Sequence, residues 1–437
     1  MKQILIKIAA IILVFMVNET SAQSLQEMIS TALENNYQIR ITKNEAQIAA
    51  NNNVLGNTGA LPTVDLIGTH SNSYNNTVQK FADGTIREGN NAKNTNLNMA
   101  AMASWTVFNG FRVFAKRDQL AYLYELGQLN SKFYIEQTVS DVVTAYHQLV
   151  YEEDLIKNYE QSLAISSFRL GVEQKRKEIG VGTVMDYGQA LVDYQTDSIR
   201  LLTQLNTIKA LKINLNEALN TELEKEITVS EDGFRVMLMP NKDTLLKRVE
   251  EANNQLEQQR LQELIAETEL RMEKANRYPK IDLFAGYQYS KTTSAVGFFN
   301  SNQSYGPTFG ASISFNLYKG GETHRRVKNT ELFTENTALT KQQVNKQINA
   351  DVLNFYNEYN SISSQIVLAK SNVDEMNKVY RTAEEQLKKG AINGYDFRLT
   401  QLRLLMSKLT LIQLEFSLKT IEINLNRLSG RVLEAYI

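Results

Sequence analysis

The sequence predicts a mainly α-helical chain that also supplies strands to a membrane β-barrel, and it predicts that the chain is a duplicated unit. Three observations support this prediction: an internal repeat, strands with one apolar and one polar face, and two helices too long for a compact domain. The segment FNLYKGG at 315–321 joins the last two features. Alternating apolar residues precede it, and a helical pattern follows it.

The composition excludes several classes of protein. The 437 residues carry a formal net charge of −1, whereas nucleic-acid binding requires clustered excess Lys and Arg. The chain has no cysteine, which excludes disulfides, thiolate metal sites and a lipidated N-terminal cysteine. The histidines (His70, His147 and His324) are scattered, and no nucleophile–base pair or phosphate loop is visible. The sequence therefore predicts no enzymatic activity, no cofactor and no metal site.

Residues 1–22 have the pattern of a secretory signal peptide. Two lysines come before or at the start of an apolar run that covers 8–17, and small residues at 20–22 suit a cleavage site. A transmembrane anchor is the alternative, but the run is too short to span a bilayer comfortably. No later stretch approaches the length of a membrane-spanning helix, so a mature chain that crosses a membrane must use strands.

The mature chain reads as two copies of one unit. Ile213-Asn214-Leu215-Asn216 recurs at 423–426, an offset of 210 (423 − 213), and other matches keep the same order. The predicted parts are a first repeat over 23–224, a linker or equatorial segment over 225–242, a second repeat over 243–430 and a C-terminal tail over 431–437.

Each copy reads helix, strand, loop, strand, very long helix and shorter helix. In the second copy a helix at about 243–276 ends before Tyr278-Pro279, since proline disfavours helix at the preceding residue and suits a strand start. Apolar residues then alternate over 281–289, a Ser/Asn-rich loop follows, and a return strand alternates over 309–317. The return strand of the first copy alternates over 97–107.

Such strands of about ten residues have two interpretations. One is the half-buried strand of a soluble sandwich, and the other is a barrel strand with one side in lipid. Aromatic residues lie where each return strand meets its helix, as a membrane-boundary girdle would. The candidate residues of this junction and girdle are Trp105, Phe108, Gly110, Phe315, Tyr318 and Gly320.

The long helices determine the predicted architecture. From His324 to Lys389 there is neither proline nor glycine, and apolar residues recur in alternating steps of 4 and 3. This period is typical of supercoiled helices, and a helix of that length reaches about 100 Å. Four strands cannot close a barrel, and open sheet edges are costly in lipid. Several copies of the chain must therefore contribute strands to one barrel.

The combination resembles the TolC-like outer-membrane efflux family over nearly all of the mature chain. The resemblance rests on the duplicated element order, the proline-led strands, the junction glycines and two tips where Asp follows Gly by six residues. It implies four strands per chain and a homotrimer with a 12-stranded barrel on a long α-helical barrel. The barrel would lie among the lipids of the outer membrane of a Gram-negative bacterium, and the helices would extend into the periplasm.

The same resemblance implies a passive exit duct of a tripartite efflux or type I secretion system. A periplasmic adaptor (membrane fusion) protein would join the duct to an inner-membrane transporter. In the family the two hairpin tips close the pore and meet the adaptor. By match of pattern, the tip residues are Gly180, Thr183, Asp186, Ala190, Lys388, Lys389, Gly390, Asp396, Arg398 and Gln401.

The role of the tip aspartates stays open at this stage. Asp186 and Asp396 either ring a narrow aperture with negative charge or favour the N-terminal dipole of the next helix. The tyrosine and arginine that flank the tip glycine in latched family members are here Leu387 and Ile392, and a second acidic position is Leu399. We therefore hypothesise a different ion-pair closure, from Lys388, Lys389 and Arg398.

The alternative function is a periplasmic coiled-coil adaptor or a structural stalk without a pore. This alternative accounts for the heptad pattern and the helical tips. It does not account for two pairs of strands that have one apolar face and aromatic ends.

Overall fold

A computed structural model describes residues 24–229, 234–297 and 299–437, so the predicted signal peptide lies outside the described residues. The helices are α1 (Leu25–Asn35), α2 (Tyr37–Asn52), α3 (Leu55–Thr58), α4 (Arg112–Glu178), α5 (Val184–Leu219), α6 (Lys242–Ala252), α7 (Asn254–Ala275), α8 (Glu322–Lys388), α9 (Gly394–Leu428) and α10 (Val432–Tyr436). The strands are β1 (Thr63–Lys80), β2 (Ile86–Asn109), β3 (Lys280–Ser294) and β4 (Ser301–Ser314). The prediction of a mainly helical chain with four strands is confirmed. Among these helices, none has the length and apolar character to cross a membrane.

The duplication is visible in the lengths and spacing of the helices. Helices α4 and α8 each have 67 residues, and they begin 210 residues apart (322 − 112). Helices α5 and α9 begin at the same offset (394 − 184). Each repeat therefore contains one helical hairpin of the same size.

The chain divides into two compact units that each take segments from both repeats. The helical unit comprises the described residues up to Thr42 together with Asn130–Glu257 and Val344–Ile437. The sheet unit comprises Lys43–Leu129 and Gln258–Gln343.

The sheet unit contains one antiparallel sheet in the order β1-β2-β3-β4. Apolar residues face apolar residues across neighbouring strands, as in the pairs Leu66 with Ala101 and Leu283 with Ala311. Alternation along each strand therefore collects the apolar side chains on one face of the sheet. Strands β1 and β4 are its edges, and each pairs with a neighbouring strand on one side only among the described residues.

The strands are longer than the prediction of about ten residues, with 18, 24, 15 and 14 residues. The segment predicted as a Ser/Asn-rich loop is mostly strand, and only residues 295–300 connect β3 to β4. Polar side chains bond across the strands here. The Ser290 hydroxyl donates to Asn98 Oδ1 at 2.7 Å, and the Thr95 hydroxyl donates to Asn72 Oδ1 at 2.7 Å. The polar run therefore extends the sheet and does not interrupt it.

Two predicted boundaries are wrong for identifiable reasons. Strand β4 ends at Ser314, which pairs with Lys280, so 315–317 lie beyond the strand. The ladder stops there because Pro279 follows on the partner strand and has no N–H to donate.

The predicted helix over 243–276 is two helices, α6 and α7. Asn253 separates them with an extended backbone (ψ 116°). Its side-chain oxygen accepts from the N–H groups of Gln255 and Leu256, and its amide donates to the Leu428 carbonyl at 2.8 Å. An asparagine that caps a helix start in this way ends the preceding helix.

The helical unit has two apolar cores. The first includes Met28, Val139, Val142, Leu149, Ile208, Leu215, Ile227, Ile423 and Val432. The second includes Leu245, Val249, Ile348, Val352, Ile362, Ile366, Leu418, Leu425 and Leu428. The α8 members of this core fall on the predicted seam with a period of 3.5 residues. The predicted C-terminal tail contributes Val432 and forms the short helix α10.

We expect Gly110→Ala to destabilise the sheet unit much more than Gly320→Ala. Both glycines have left-handed backbones (φ 67° and 58°), which cost other residues about 1–2 kcal/mol. Only at Gly110 would a Cβ collide, 2.4 Å from the Ala275 carbonyl oxygen and 3.0 Å from Tyr278 Cβ. Thermal unfolding of the two variants measures the difference, and equal losses would contradict the close approach at Gly110.

Candidate functional site at the helical hairpin tips

Both hairpin tips end their long helix with the same turn. At the first tip the Gly180 N–H donates to the Lys177 carbonyl at 3.1 Å, and the Val181 N–H donates to the Arg176 carbonyl at 3.0 Å. This is the Schellman pattern, which requires a left-handed residue. Gly180 has φ 76°, and the second tip repeats the turn at Gly390 with φ 71°.

The two tips start their next helix with different caps. At the first tip the Thr183 hydroxyl oxygen accepts from the Asp186 N–H at 3.0 Å, and the Asp186 carboxylate accepts from the Thr183 N–H and hydroxyl. These bonds lower the pKa of Asp186. At the second tip the Asn393 side-chain oxygen accepts from the Asp396 N–H at 2.8 Å. The exposed Asp396 carboxylate makes no hydrogen bond within the described part of the chain.

A buried polar cluster connects the two hairpins close to the tips. We call it the tip cluster. Helix α4 contributes Ser162, Ser166 and Arg169, helix α5 contributes Asp193 and Asp197, and helix α9 contributes Arg398 and Gln401. All seven side chains except that of Asp193 are fully buried. The cluster therefore joins three helices through polar contacts in a dry environment.

Arg398 and Asp197 form the central contact of the tip cluster. The guanidinium donates to both carboxylate oxygens, at 2.6 and 2.9 Å, and the Ser166 hydroxyl donates to the same carboxylate at 2.7 Å. A two-point guanidinium–carboxylate pair fixes both distance and orientation. It holds α9 of the second hairpin against α5 of the first.

Further contacts complete the tip cluster. Arg169 binds Asp193 at 2.5 Å, and the Gln401 amide donates to the Ser162 carbonyl at 2.8 Å. Directly beside it, Phe397 is fully buried and packs with Leu387 of helix α8. This apolar contact excludes water, which strengthens the neighbouring electrostatic contacts.

Burial alone raises the pKa of Asp197, but the hydrogen bonds from Arg398 and Ser166 and the nearby guanidinium charges outweigh it. The pKa of Asp197 is therefore lowered in the folded protein. A carboxyl with a lowered folded pKa stabilises the fold above its unfolded pKa, and this stabilisation is lost as the pH falls through the folded value.

We therefore expect the contact between α5 and α9 to persist from pH 8 down to about pH 5 and to weaken only below about pH 4. Hydrogen exchange of the backbone amides at 390–396, corrected for intrinsic exchange, measures this. The Asp197→Asn variant is the control and should show no such transition. A loss of protection near pH 6 in the native chain would contradict the assignment.

The other predicted tip residues lie outside the tip cluster. Lys388 binds Glu384 of its own helix at 2.8 Å, and Lys389 is exposed. Ala190 is buried. Of the three basic residues hypothesised to close the tips, only Arg398 contacts the other hairpin through an ion pair.

Sequence reasoning missed five members of the tip cluster. Ser162, Ser166 and Arg169 follow steps of four and three residues along α4, and Asp193 and Asp197 are four apart on α5. These spacings place each set on one helix face. The signal that could have found them is the presence of polar residues at positions of the helix seam, where apolar residues are expected.

The surfaces of the two tips differ in chemistry. The first tip exposes four aliphatic side chains in a short stretch: Ile179 (73%), Val181 (65%), Val184 (73%) and Met185 (80%). The second tip exposes Tyr395 (71%) beside two lysines.

The predicted junction and girdle residues lie in the sheet unit. Trp105 is partly exposed, and its indole N–H donates to the Ala60 carbonyl at 2.9 Å. Phe108 pairs with Ile281 on the apolar face of the sheet. Phe315 and Tyr318 are exposed and follow β4. The described residues contain no cluster of His, Asp or Glu side chains suited to a metal ion.

Comparison with known proteins gives one family. A family model described as "Outer membrane efflux protein" matches residues 28–221 and 245–431. The outer membrane protein TolC of Escherichia coli (strain K12) is 24% identical over 258 residues, which are 55% of this chain and 52% of TolC. The chain thus spans about half the length of this curated relative.

Solved structures share the fold at low sequence identity. The outer membrane protein VceC from Vibrio cholerae has a TM-score of 0.75 and 15% identity, over 93% of this chain and 96% of VceC. The CmeC outer membrane channel from Campylobacter jejuni has a TM-score of 0.77 and 12% identity, over 94% of this chain and 86% of CmeC. Such identities establish the fold alone. The family model goes further, because it matches nearly all the described helices and strands: the chain belongs to the outer membrane efflux protein family, a family of outer-membrane channels and not of enzymes.

Proposed function

We propose that the chain is the outer-membrane exit duct of a tripartite efflux or type I secretion system. It would passively conduct substrates that an inner-membrane transporter and a periplasmic adaptor protein deliver. The observation that carries this proposal is the four-stranded sheet, in which the outer edges of β1 and β4 are unpaired within the described residues.

Unpaired strand edges are costly in lipid, where no water can satisfy the backbone groups. The β4 edge of one copy and the β1 edge of the next satisfy each other if the strands continue around a ring. Three copies then give the twelve strands implied by the resemblance to TolC-like proteins. We propose a homotrimer in which residues 225–242 form part of an equatorial band around the helices.

We propose that the hairpin tips form the periplasmic aperture and the contact with the adaptor. The exposed aliphatic side chains of the first tip support an apolar contact with a partner protein. The free carboxylate of Asp396 supports a ring of three negative charges at the aperture, which would concentrate cations. The pair of Arg398 and Asp197 would hold the aperture closed.

Trimer migration and planar-bilayer current test the duct. Mature protein purified in detergent should migrate as a heat-modifiable trimer and give single-channel currents without any nucleotide. A photo-crosslinker at Val184 should capture an adaptor protein in cells, and one at the buried Ala190 should not. Purified protein that gives no channel current would fit the competing structural stalk, and that result overturns the proposal.

A matched pair of variants tests the aperture. Asp396→Asn should reduce the preference for cations and weaken block by divalent cations, because it removes three charges from the ring. Asp186→Asn is the control, since the Asp186 carboxylate is engaged by Thr183. An unchanged cation preference in Asp396→Asn would remove Asp396 from the aperture.

A further inference from the structure

Phe111 has a backbone conformation that is unusual for its side chain. Its φ is 66°, in the left-handed region that bulky residues rarely occupy. The matching residue of the second repeat (111 + 210 = 321) is Gly321, with φ 73°. The second repeat thus has glycine at the position that requires a left-handed backbone. The first repeat has phenylalanine there, which adopts this conformation at a cost. Such a cost at one position indicates a function for the side chain.

The conformation of Phe111 brings its ring into a row of three aromatic side chains. The ring centroids of Phe108 and Phe111 are 5.4 Å apart in an edge-to-face arrangement, and those of Phe111 and Phe114 are 6.3 Å apart. Phe111 and Phe114 are nonetheless 62% and 61% exposed. The row runs from the end of β2 onto the first turn of α4.

The row continues the apolar face of an inner strand. Phe108 pairs with Ile281 and lies on the same face as Leu283 and Ala285 of β3. Strand β2 lies between β1 and β3 of its own chain. A second copy of the chain would pair at the β1 or β4 edge, so it would not cover the position of Phe108.

A basic residue follows the aromatic row. Arg117 is exposed, three residues after Phe114 and therefore on the same side of α4. Its guanidinium makes no ion pair or hydrogen bond within the residues that the structure describes. Aromatic rings favour the headgroup level of a membrane, and an adjacent guanidinium favours lipid phosphate.

We propose that Phe108, Phe111, Phe114 and Arg117 form an interfacial anchor that binds anionic phospholipid at the periplasmic surface of the outer membrane. The three rings lie among the glycerol and upper acyl groups, and Arg117 binds the headgroup phosphate. Lipid contact therefore extends beyond the sheet onto the first two turns of α4. This inference rests on the membrane position of the sheet in the proposed function.

The single tryptophan of the chain, Trp105, makes the test direct. Native trimers and a Trp105→Phe/Phe111→Trp variant are reconstituted in phosphatidylcholine vesicles whose acyl chains carry bromine near the headgroup or near the chain end. Bromine quenches tryptophan emission at short range. We expect a tryptophan at 111 to be quenched about twofold more by bromine near the headgroup than by bromine near the chain end.

The two tryptophan positions separate the possible failures. If native Trp105 is quenched but a tryptophan at 111 is not, the anchor is wrong and the membrane position of the sheet stands. If neither is quenched, the proposed function fails. A blue-shifted emission at 111 without quenching shows that another copy covers the ring, which also overturns the anchor.

The charge of Arg117 is tested separately. Native mass spectrometry of trimers released from mixed phosphatidylglycerol and phosphatidylcholine vesicles counts the bound anionic lipids. Arg117→Gln should weaken phosphatidylglycerol binding about fivefold per site. Lys328→Gln, which also removes an exposed basic residue near the start of a long helix (α8), should have no such effect. Phe111→Gly should still fold, as Gly321 does in the second repeat, and should lose the lipid preference. Unchanged lipid counts in both anchor variants would overturn the proposal.

Discussion

Arg398→Met is expected to raise the closed-state conductance of the channel in planar bilayers. The substitution removes the two-point guanidinium contact from the carboxylate of Asp197, which is 2% exposed, and leaves it only one guanidinium contact, the longer 3.5 Å contact with the half-exposed Arg200. Removal of one member of a buried ion pair costs up to about 3–5 kcal/mol, because the remaining charge loses its main compensation. The tips can avoid this cost by separating and hydrating Asp197. The open population, and with it the current, should therefore increase by orders of magnitude.

Two further variants control for a general loss of stability. In the Asp197→Leu/Arg398→Met double variant both charges are gone, so the tips should close again at least in part. Glu384→Gln breaks the exposed pair with Lys388, and such pairs contribute at most about 1 kcal/mol. Its conductance should equal that of the native channel. An unchanged closed-state conductance in Arg398→Met would exclude the tip cluster as the closure.

Glu422→Ala is expected to release the linker and the C-terminal helix from the helical unit. Glu422 is fully buried, and its carboxylate accepts from Lys419 Nζ, the Tyr436 hydroxyl and the Met237 N–H, each at 2.9 Å. Burial and the Glu422 charge together raise the pKa of Tyr436, which keeps its hydroxyl protonated as a donor. The substitution leaves the buried Lys419 ammonium without its carboxylate and should cost about 3–5 kcal/mol.

Hydrogen exchange locates this effect. The backbone amides at 234–239 and 432–436 should exchange faster in Glu422→Ala, while amides of the sheet unit keep their rates. Glu251→Gln breaks the exposed pair of Lys247 and Glu251, whose side chains are 75% and 64% exposed, and should have little effect. Equal protection in the native protein and Glu422→Ala would refute the role of the carboxylate.

The sequence predicted the elements whose signals are local. The 3.5-residue period of α8 is a property of neighbouring turns, and its Ile348 and Val352 are buried as expected. The tip glycines were predictable because a helix that ends in a left-handed residue favours glycine. The strand lengths were not, since Asn and Ser favour loops unless a partner strand supplies hydrogen bonds. Asn98 acquires that partner in Ser290, which lies 192 residues away.

The tip cluster could not be predicted from the sequence, because its contacts also join residues that are distant in the chain. Arg398 was identified as a closing residue, but its partner Asp197 lies 201 residues earlier in the chain. A single aspartate on a long helix normally indicates a solvated face. Only the packing of α5 against α9 turns it into a buried carboxylate. Lys388 and Lys389 offered the same charge at the same tip and remain on the surface.

The unequal caps of the two tips show what duplication of the unit made possible. Asp186 is occupied in starting its own helix, where its carboxylate accepts from the Thr183 N–H and hydroxyl. In the second copy Asn393 accepts from the Asp396 N–H as Thr183 does from that of Asp186, but the Asp396 carboxylate makes no bond to the cap, so the start of the helix does not depend on its charge. A substitution at Asp396 can therefore change the charge of the second tip without weakening the helix that carries it.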